Sequence, residues 1–271
     1  MKHEFTMNQY FTGKARYYAR YRGSYPAAVF DTIISHFNIS SDSVILDLGC
    51  GTGNISLPLA IRGYTVYAVD SEPDMITEGK RCESESNPLC PVRWIIGSDT
   101  TLAGLNLPPL KLCTMGRSFH WMDRHQTLKT LDTMIEPDGG IVCLDKKDAF
   151  HSTSNHQWGR VAISEIQDIL GDSWDYSGRF EKKEHIKHEE IFAQSSFTVI
   201  KRIEFEVHEE HTIEELIGQL LSYSYIHPVL LNERNAEFRD RMTRRLLEIQ
   251  PGGVFVEESN VQLLIATRPK M

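Results

Sequence analysis

The run Val44-Ile-Leu-Asp-Leu-Gly-Cys-Gly-Thr-Gly-Asn54 carries an apolar segment into three alternating glycines, Gly49, Gly51 and Gly53. Glycine adopts backbone angles closed to other residues and lets a ligand approach the main chain. A helix starting behind such a turn presents unpaired amide donors and a partial positive charge, a seat for a carboxylate or phosphate. A tight turn with no ligand needs one glycine, not three. Asp47, just before the glycines, can turn its carboxylate toward a cationic group in the same crevice. Asp70 follows 23 residues later, at the end of the apolar stretch Tyr64-Thr-Val-Tyr-Ala-Val-Asp70. A carboxylate there can accept both hydroxyls of a ribose. It can also cap the helix opening at Glu72-Pro73, since Asp is a favoured cap. Met75 is placed to pack on a flat base, or to fill core. In Gly97-Ser98-Asp99-Thr100, Asp99 stands where the amino group of an adenine would lie.

Two ligands compete for this arrangement. A dinucleotide fingerprint, Gly-x-Gly-x-x-Gly, puts its third glycine at position 54, where this chain has Asn54. A pyrophosphate also gains nothing from an acid at position 47, whereas the amino group of S-adenosylmethionine does. The spacing favours the second ligand.

The elements that must position these groups read as alternating short apolar strands and amphipathic helices. Strands are expected at 44–48, 64–69, 92–96, 111–115 and 140–144, a pattern that builds a parallel sheet covered on both faces. Pro26 to Phe37 reads as a helix with Phe30, Ile33, Ile34 and Phe37 on one face. Pro58 inside the helix after the glycines is tolerable only in its first turn. Val199 to His208 alternates as a half-exposed edge strand, a helix is expected over 233–249, and Gln262 to Thr267 is expected to insert antiparallel. The chain is read as one domain over 1–271, with residues 1–25 and 145–230 covering its active face.

The 271 residues suit one sizeable core, and no apolar run approaches the ~18–20 residues that span a bilayer. Five cysteines without a CxxC pair argue against a disulfide framework and fit a reducing cytoplasm. A formal net charge of −8 argues against nucleic acid as partner. The histidine pairs 185/188 and 208/211 lack an evident third ligand and read as solvated faces rather than metal sites.

The segments VILDLGCGTG, VYAVDSEPDMI, IIGSDTTL and EPDGGIVCL resemble the successive motifs of class I S-adenosylmethionine-dependent methyltransferases, over about residues 40–146. Ser118-Phe-His-Trp-Met-Asp123 and Tyr18-Ala-Arg-Tyr-Arg22-Gly-Ser-Tyr-Pro26 look more narrowly like the trans-aconitate methyltransferase-like group of small-molecule enzymes, with Gly23 in place of a proline. The resemblance implies a Rossmann-like α/β fold, doubly wound, with a mostly parallel seven-stranded sheet and one late antiparallel strand. It implies that Gly49, Gly51 and Gly53 line the methionine and ribose, that Asp70 with Ser71 binds ribose, and that Asp99 and Thr100 meet adenine. Tyr18 and Arg22 are implied at the methionine carboxylate, with Asp47, Met75 and Ser118 completing the cofactor set.

The reaction expected is methyl transfer from S-adenosylmethionine to a small organic acceptor on O, N or C, without a metal. The sulfonium is already activated, so alignment supplies most of the acceleration. His120, after the fourth strand, is the candidate base or acceptor-orienting group. Aromatic residues offer a cover for a flat or apolar acceptor: Tyr17, Tyr18, Tyr21 and Tyr25 in front, Phe119 and Trp121 in the middle, and Tyr223, Tyr225 and His227 behind. The Asn/Asp-Pro-Pro-aromatic run of DNA amino-methylating enzymes is missing after the fourth strand. The competing readings are an NAD(P)-dependent oxidoreductase and a protein that binds S-adenosylmethionine without methylating.

Overall fold

The computed structural model describes residues 13–147, 157–171, 186–223, 226, 230 and 232–270. His185, Tyr225, His227 and the loop 172–178 lie outside the described residues. Seven strands form one sheet in the order β3-β2-β1-β4-β5-β7-β6. They are β1 (Val44–Leu48), β2 (Thr65–Asp70), β3 (Arg93–Ile96), β4 (Leu110–Gly116), β5 (Ile135–Lys147), β6 (Val199–Thr212) and β7 (Val254–Thr267). Strands β1 to β5 are parallel, while β5–β7 and β7–β6 are antiparallel. This is the doubly wound, Rossmann-like architecture expected from the motifs. The order of strands reverses between β1 and β4, and a ligand crevice belongs outside the carboxyl ends of strands at such a point.

The described helices are α1 (Ala15–Tyr21), α2 (Ala27–Phe37), α3 (Ser56–Ile61), α4 (Pro73–Ser86), α5 (Arg124–Met134), α6 (Gln157–Leu170), α7 (His188–Phe192), α8 (Ile213–Leu221) and α9 (Asn235–Ile249). Their ends follow local chemistry. Pro73 opens α4 at its first turn, Asn87 closes it in the left-handed conformation, and a Thr212–Glu215 capping box starts α8. Pro58 is the third residue of α3, within its first turn, where no intrahelical amide bond is lost.

The chain divides into two compact units. The larger comprises residues 23–146, 186–205 and 261–271, and its core gathers Leu46, Leu48, Cys113, Met115, Phe119, Leu128, Ile141 and Phe192 around the middle of the sheet. The other takes its described residues from 1–22, 147–185 and 206–260, and packs Trp158, Ala162 and Ile166 of α6 with Leu216 and Leu220 of α8 and Phe238, Met242 and Leu246 of α9. Much of this second unit comes from the segments expected to cover the active face. Among the described residues, no helix is long and apolar enough to cross a membrane.

Candidate cofactor site

The three glycines leave β1 with φ of +72° at Gly49, +54° at Gly51 and +94° at Gly53, the left-handed region that explains the residue type at all three. Close approach adds a second reason at two of them. A Cβ on Gly49 would lie 2.4 Å from Ser118 Cβ, and one on Gly53 would lie 2.7 Å from the Trp94 ring. Ser118 follows β4, and its hydroxyl donates to the Leu48 carbonyl at 2.7 Å, joining the ends of the two strands at the reversal point.

Asp70 ends β2 beside the turn. Its Oδ2 accepts the Gly51 amide at 2.7 Å and its Oδ1 accepts the Glu72 amide at 2.9 Å. One carboxylate thus braces the turn and organises the entry to α4, whose N-cap is Glu72. Burial pushes its pKa up, partly offset by the amide bonds.

One expectation is corrected here. The carboxylate of Asp47 does not face a crevice: the residue is wholly buried, Ser56 Oγ donates to Oδ2 at 2.6 Å, and Thr114 Oγ1 donates to Oδ1 at 3.1 Å. Burial raises its pKa to about 6 against those hydroxyl bonds. The glycine amides of the turn itself are paired within the protein. The amides of Gly49 and Cys50 both donate to Val69 O, that of Gly51 to Asp70, and that of Gly53 to Cys50 O. The turn is a stitched main-chain cradle. Within it, the Thr52 hydroxyl is buried with no hydrogen-bond partner. A buried polar atom left unmatched is costly, and a ligand in the cradle would satisfy it. The positive-φ glycines, the ribose-competent carboxylate and this hydroxyl fit a nucleoside ligand.

The remaining larger-unit residues surround the strand ends. Ser71 is exposed and Met75 is buried on α4. Asp99 accepts the Asp123 amide at 3.0 Å, tying the loop after β3 to the start of α5, and Thr100 pairs with Ser98. His120 is exposed, its ring 5.2 Å from that of Trp121. Tyr25 is buried. Phe119 is core, stacked on Phe192 at 5.5 Å, so it drops out of the aromatic cover. Sequence reasoning missed His188 as a neighbour of this segment; its ring lies 5.0 Å from Phe119 and its Nδ1 is 3.4 Å from Arg124 Nη1. A contact spanning some seventy positions leaves no local signature.

Tyr18 and Arg22 lie in the other unit. There Arg22 Nε donates to Ser222 Oγ at 2.8 Å, and the guanidinium stacks 3.9 Å from the Tyr223 ring and 5.4 Å from that of Tyr18. In the same unit Tyr21 donates to Glu214 at 2.6 Å, while Tyr17 stacks on Tyr21 at 6.2 Å. His208 is exposed as expected, but His211 is half-buried, 3.4 Å from the buried Glu257 and 3.7 Å from Glu209. Among the described residues no cluster of His, Cys, Asp and Glu could hold a metal ion.

Residues 45–139, which include the turn, Asp70, Asp99 and His120, match the family described as a methyltransferase domain. That stretch is a methyltransferase domain, and the chain is an S-adenosylmethionine-dependent methyltransferase. The methyltransferase is 26% identical over 227 residues to an uncharacterized methyltransferase-like protein of Schizosaccharomyces pombe, covering 80% of this chain and 78% of that one. It is 33% identical over 63 residues to a 23S rRNA (uracil(1939)-C(5))-methyltransferase of Shewanella woodyi, covering 23% of this chain and 14% of that protein. Its fold matches a solved structure from Anaeromyxobacter dehalogenans, assigned as a type II methyltransferase, with a TM-score of 0.54 and 16% identity over 90% of this chain and 97% of that one. S-adenosylmethionine is the cofactor of this methyltransferase.

Proposed function

We propose that this enzyme methylates a small organic acceptor, with its cofactor seated on the turn 49–53 and the ribose held by Asp70. The observation that carries this reading is the positive-φ triplet locked to the Asp70 carboxylate at the reversal point of the sheet. Gly49, Gly51 and Gly53 allow close contact, Ser71 flanks the ribose, and Met75, Asp99 and Thr100 form the base side. Ser118 holds the mouth of β4 against β1. Asp47 supports the turn from beneath through Ser56.

When bound, S-adenosylmethionine supplies a methyl group activated on a sulfonium. The protein's part is to align the acceptor behind that carbon and exclude water, which can supply roughly 7–11 kcal/mol. His120 orients the acceptor and receives its proton where one must leave. The net charge of −8 supports a small acceptor over RNA, despite the local likeness to an RNA enzyme, because few cations are left over to neutralise phosphates. The test is transfer of labelled methyl into a metabolite extract and, in parallel, into total RNA. Label is expected in the low-mass fraction and absent from RNA; label in RNA alone overturns the proposal.

A further inference from the structure

The glycine turn rests on a small cluster of its own. Cys50 from the turn, Ala60 from α3, Ala68 from β2, Ile76 from α4 and Val92 pack together, with Leu57 and Trp94 against them. Trp94 is the one large ring among these side chains. Its far edge fits into space that two glycines leave open. A Cβ on Gly53 would meet Trp94 Cη2 at 2.7 Å, and a Cβ on Gly79 in α4 would meet the same atom at 2.5 Å. One ring edge is therefore wedged between the third glycine of the turn and the helix that follows β2. The other edge is tethered, since Trp94 Nε1 donates to Glu83 Oε2 at 2.7 Å. Glu83 Oε1 accepts the Val92 amide at 2.7 Å, so one carboxylate fixes both the indole and the approach to β3.

We propose that Trp94, held by Glu83, is a positioning residue for the cofactor: its indole sets where Gly53 sits and thereby the shape of the cradle. This rests on the turn being the cofactor's seat. Gly53 is at φ +94° and its amide bonds back to Cys50, so a shift of Gly53 is passed to the rest of the turn. Interiors are close-packed, and a ring edge pressed on backbone transmits displacement instead of absorbing it.

The test measures S-adenosylhomocysteine affinity by calorimetry on the full chain, with thermal midpoints in parallel, for Trp94→Phe, Gly79→Ala, Glu83→Gln and the double variant Gly79→Ala/Trp94→Phe. The dissociation constant is expected to rise about tenfold for Trp94→Phe and for Gly79→Ala, and threefold or more for Glu83→Gln, which sits at the surface end of the tether. The double variant is expected to bind no more weakly than Trp94→Phe alone, because the smaller ring leaves room for the methyl group. A merely structural role would lower the midpoints without this non-additive pattern in affinity. Wild-type binding with unchanged constants in the folded variants, or with the two effects simply adding, overturns the wedge. A wild-type chain that binds no S-adenosylhomocysteine overturns the cofactor seat itself, and the wedge with it.

Discussion

Asp70 accepts the Gly51 amide at 2.7 Å, so the carboxylate proposed for the ribose also holds the middle glycine of the turn. A carboxylate offers about four acceptor positions, and the backbone donors leave capacity for ribose hydroxyls. The pair is thus preorganised: the group proposed for the sugar is oriented by the protein's own backbone.

Replacing Asp70 by Asn keeps the shape and removes the charge. S-adenosylhomocysteine is expected to bind at least tenfold more weakly, about 1.4 kcal/mol. Because burial raises the pKa of this acid, wild-type affinity is expected to fall as pH is lowered through that value, while the variant stays flat. Calorimetry from neutral pH down toward the ordinary carboxylate range checks both; parallel curves for the two proteins contradict the assignment.

The buried Asp47 gives a stability prediction with the opposite sense to the usual carboxylate. Its folded pKa of about 6 lies above the ordinary value of 3.8, so the native state holds the proton more tightly. The associated stabilisation is complete below the unfolded pKa and is lost as pH rises through about 6. Asp47→Asn removes that loss and is expected to gain on the wild type by on the order of 2 kcal/mol between pH 4 and pH 7. Urea unfolding at the two pH values measures the gap, and a gap independent of pH shows that the group titrates normally.

His211 has the same sign of pH dependence from a different cause. Glu209 and Glu257 beside it raise its pKa to about 9, against the desolvation that lowers it. Its contribution is complete below the unfolded pKa of about 6.5 and is lost as pH rises through 9. His211→Gln is expected to cost about 1 kcal/mol at pH 7 after solvent screening, narrowing toward pH 10. Thermal melts across that range decide it; a constant cost rules out the ion pair.

Gly49→Ala places a Cβ 2.4 Å from Ser118 Cβ at a φ of +72°. A loss on the order of 2 kcal/mol or more is expected from strain and overpacking together. Ser118→Ala removes only the bond to Leu48 and is expected to cost about 1 kcal/mol. Chemical denaturation of the two variants separates these outcomes, and equal costs would show that the close approach carries no strain.

How far the sequence foretold this arrangement depends on how local each cause is. Strand β1 was read to the residue, because an apolar run interrupted only by Asp47 between polar flanks has little freedom. The turn was equally legible, since three alternating glycines in that register answer to backbone angles. β7 was seen only from Gln262, although it begins at Val254, because Glu257 and Glu258 interrupt the pattern. Glu257 is nonetheless buried, facing His211 on the adjacent strand, which is why that histidine was misread as solvated. The inward turn of Asp47 escaped for the same reason: its partners Ser56 and Thr114 come from the next helix and the neighbouring strand. Long-range polar pairing has no periodicity to betray it.

The seat of the cofactor is open to direct observation in a crystal structure of the protein with S-adenosylhomocysteine. The ribose hydroxyls are expected within hydrogen-bond distance of Asp70, with the ligand lying along residues 49–53. Ligand density elsewhere in the molecule, with that turn bare, would contradict the assignment.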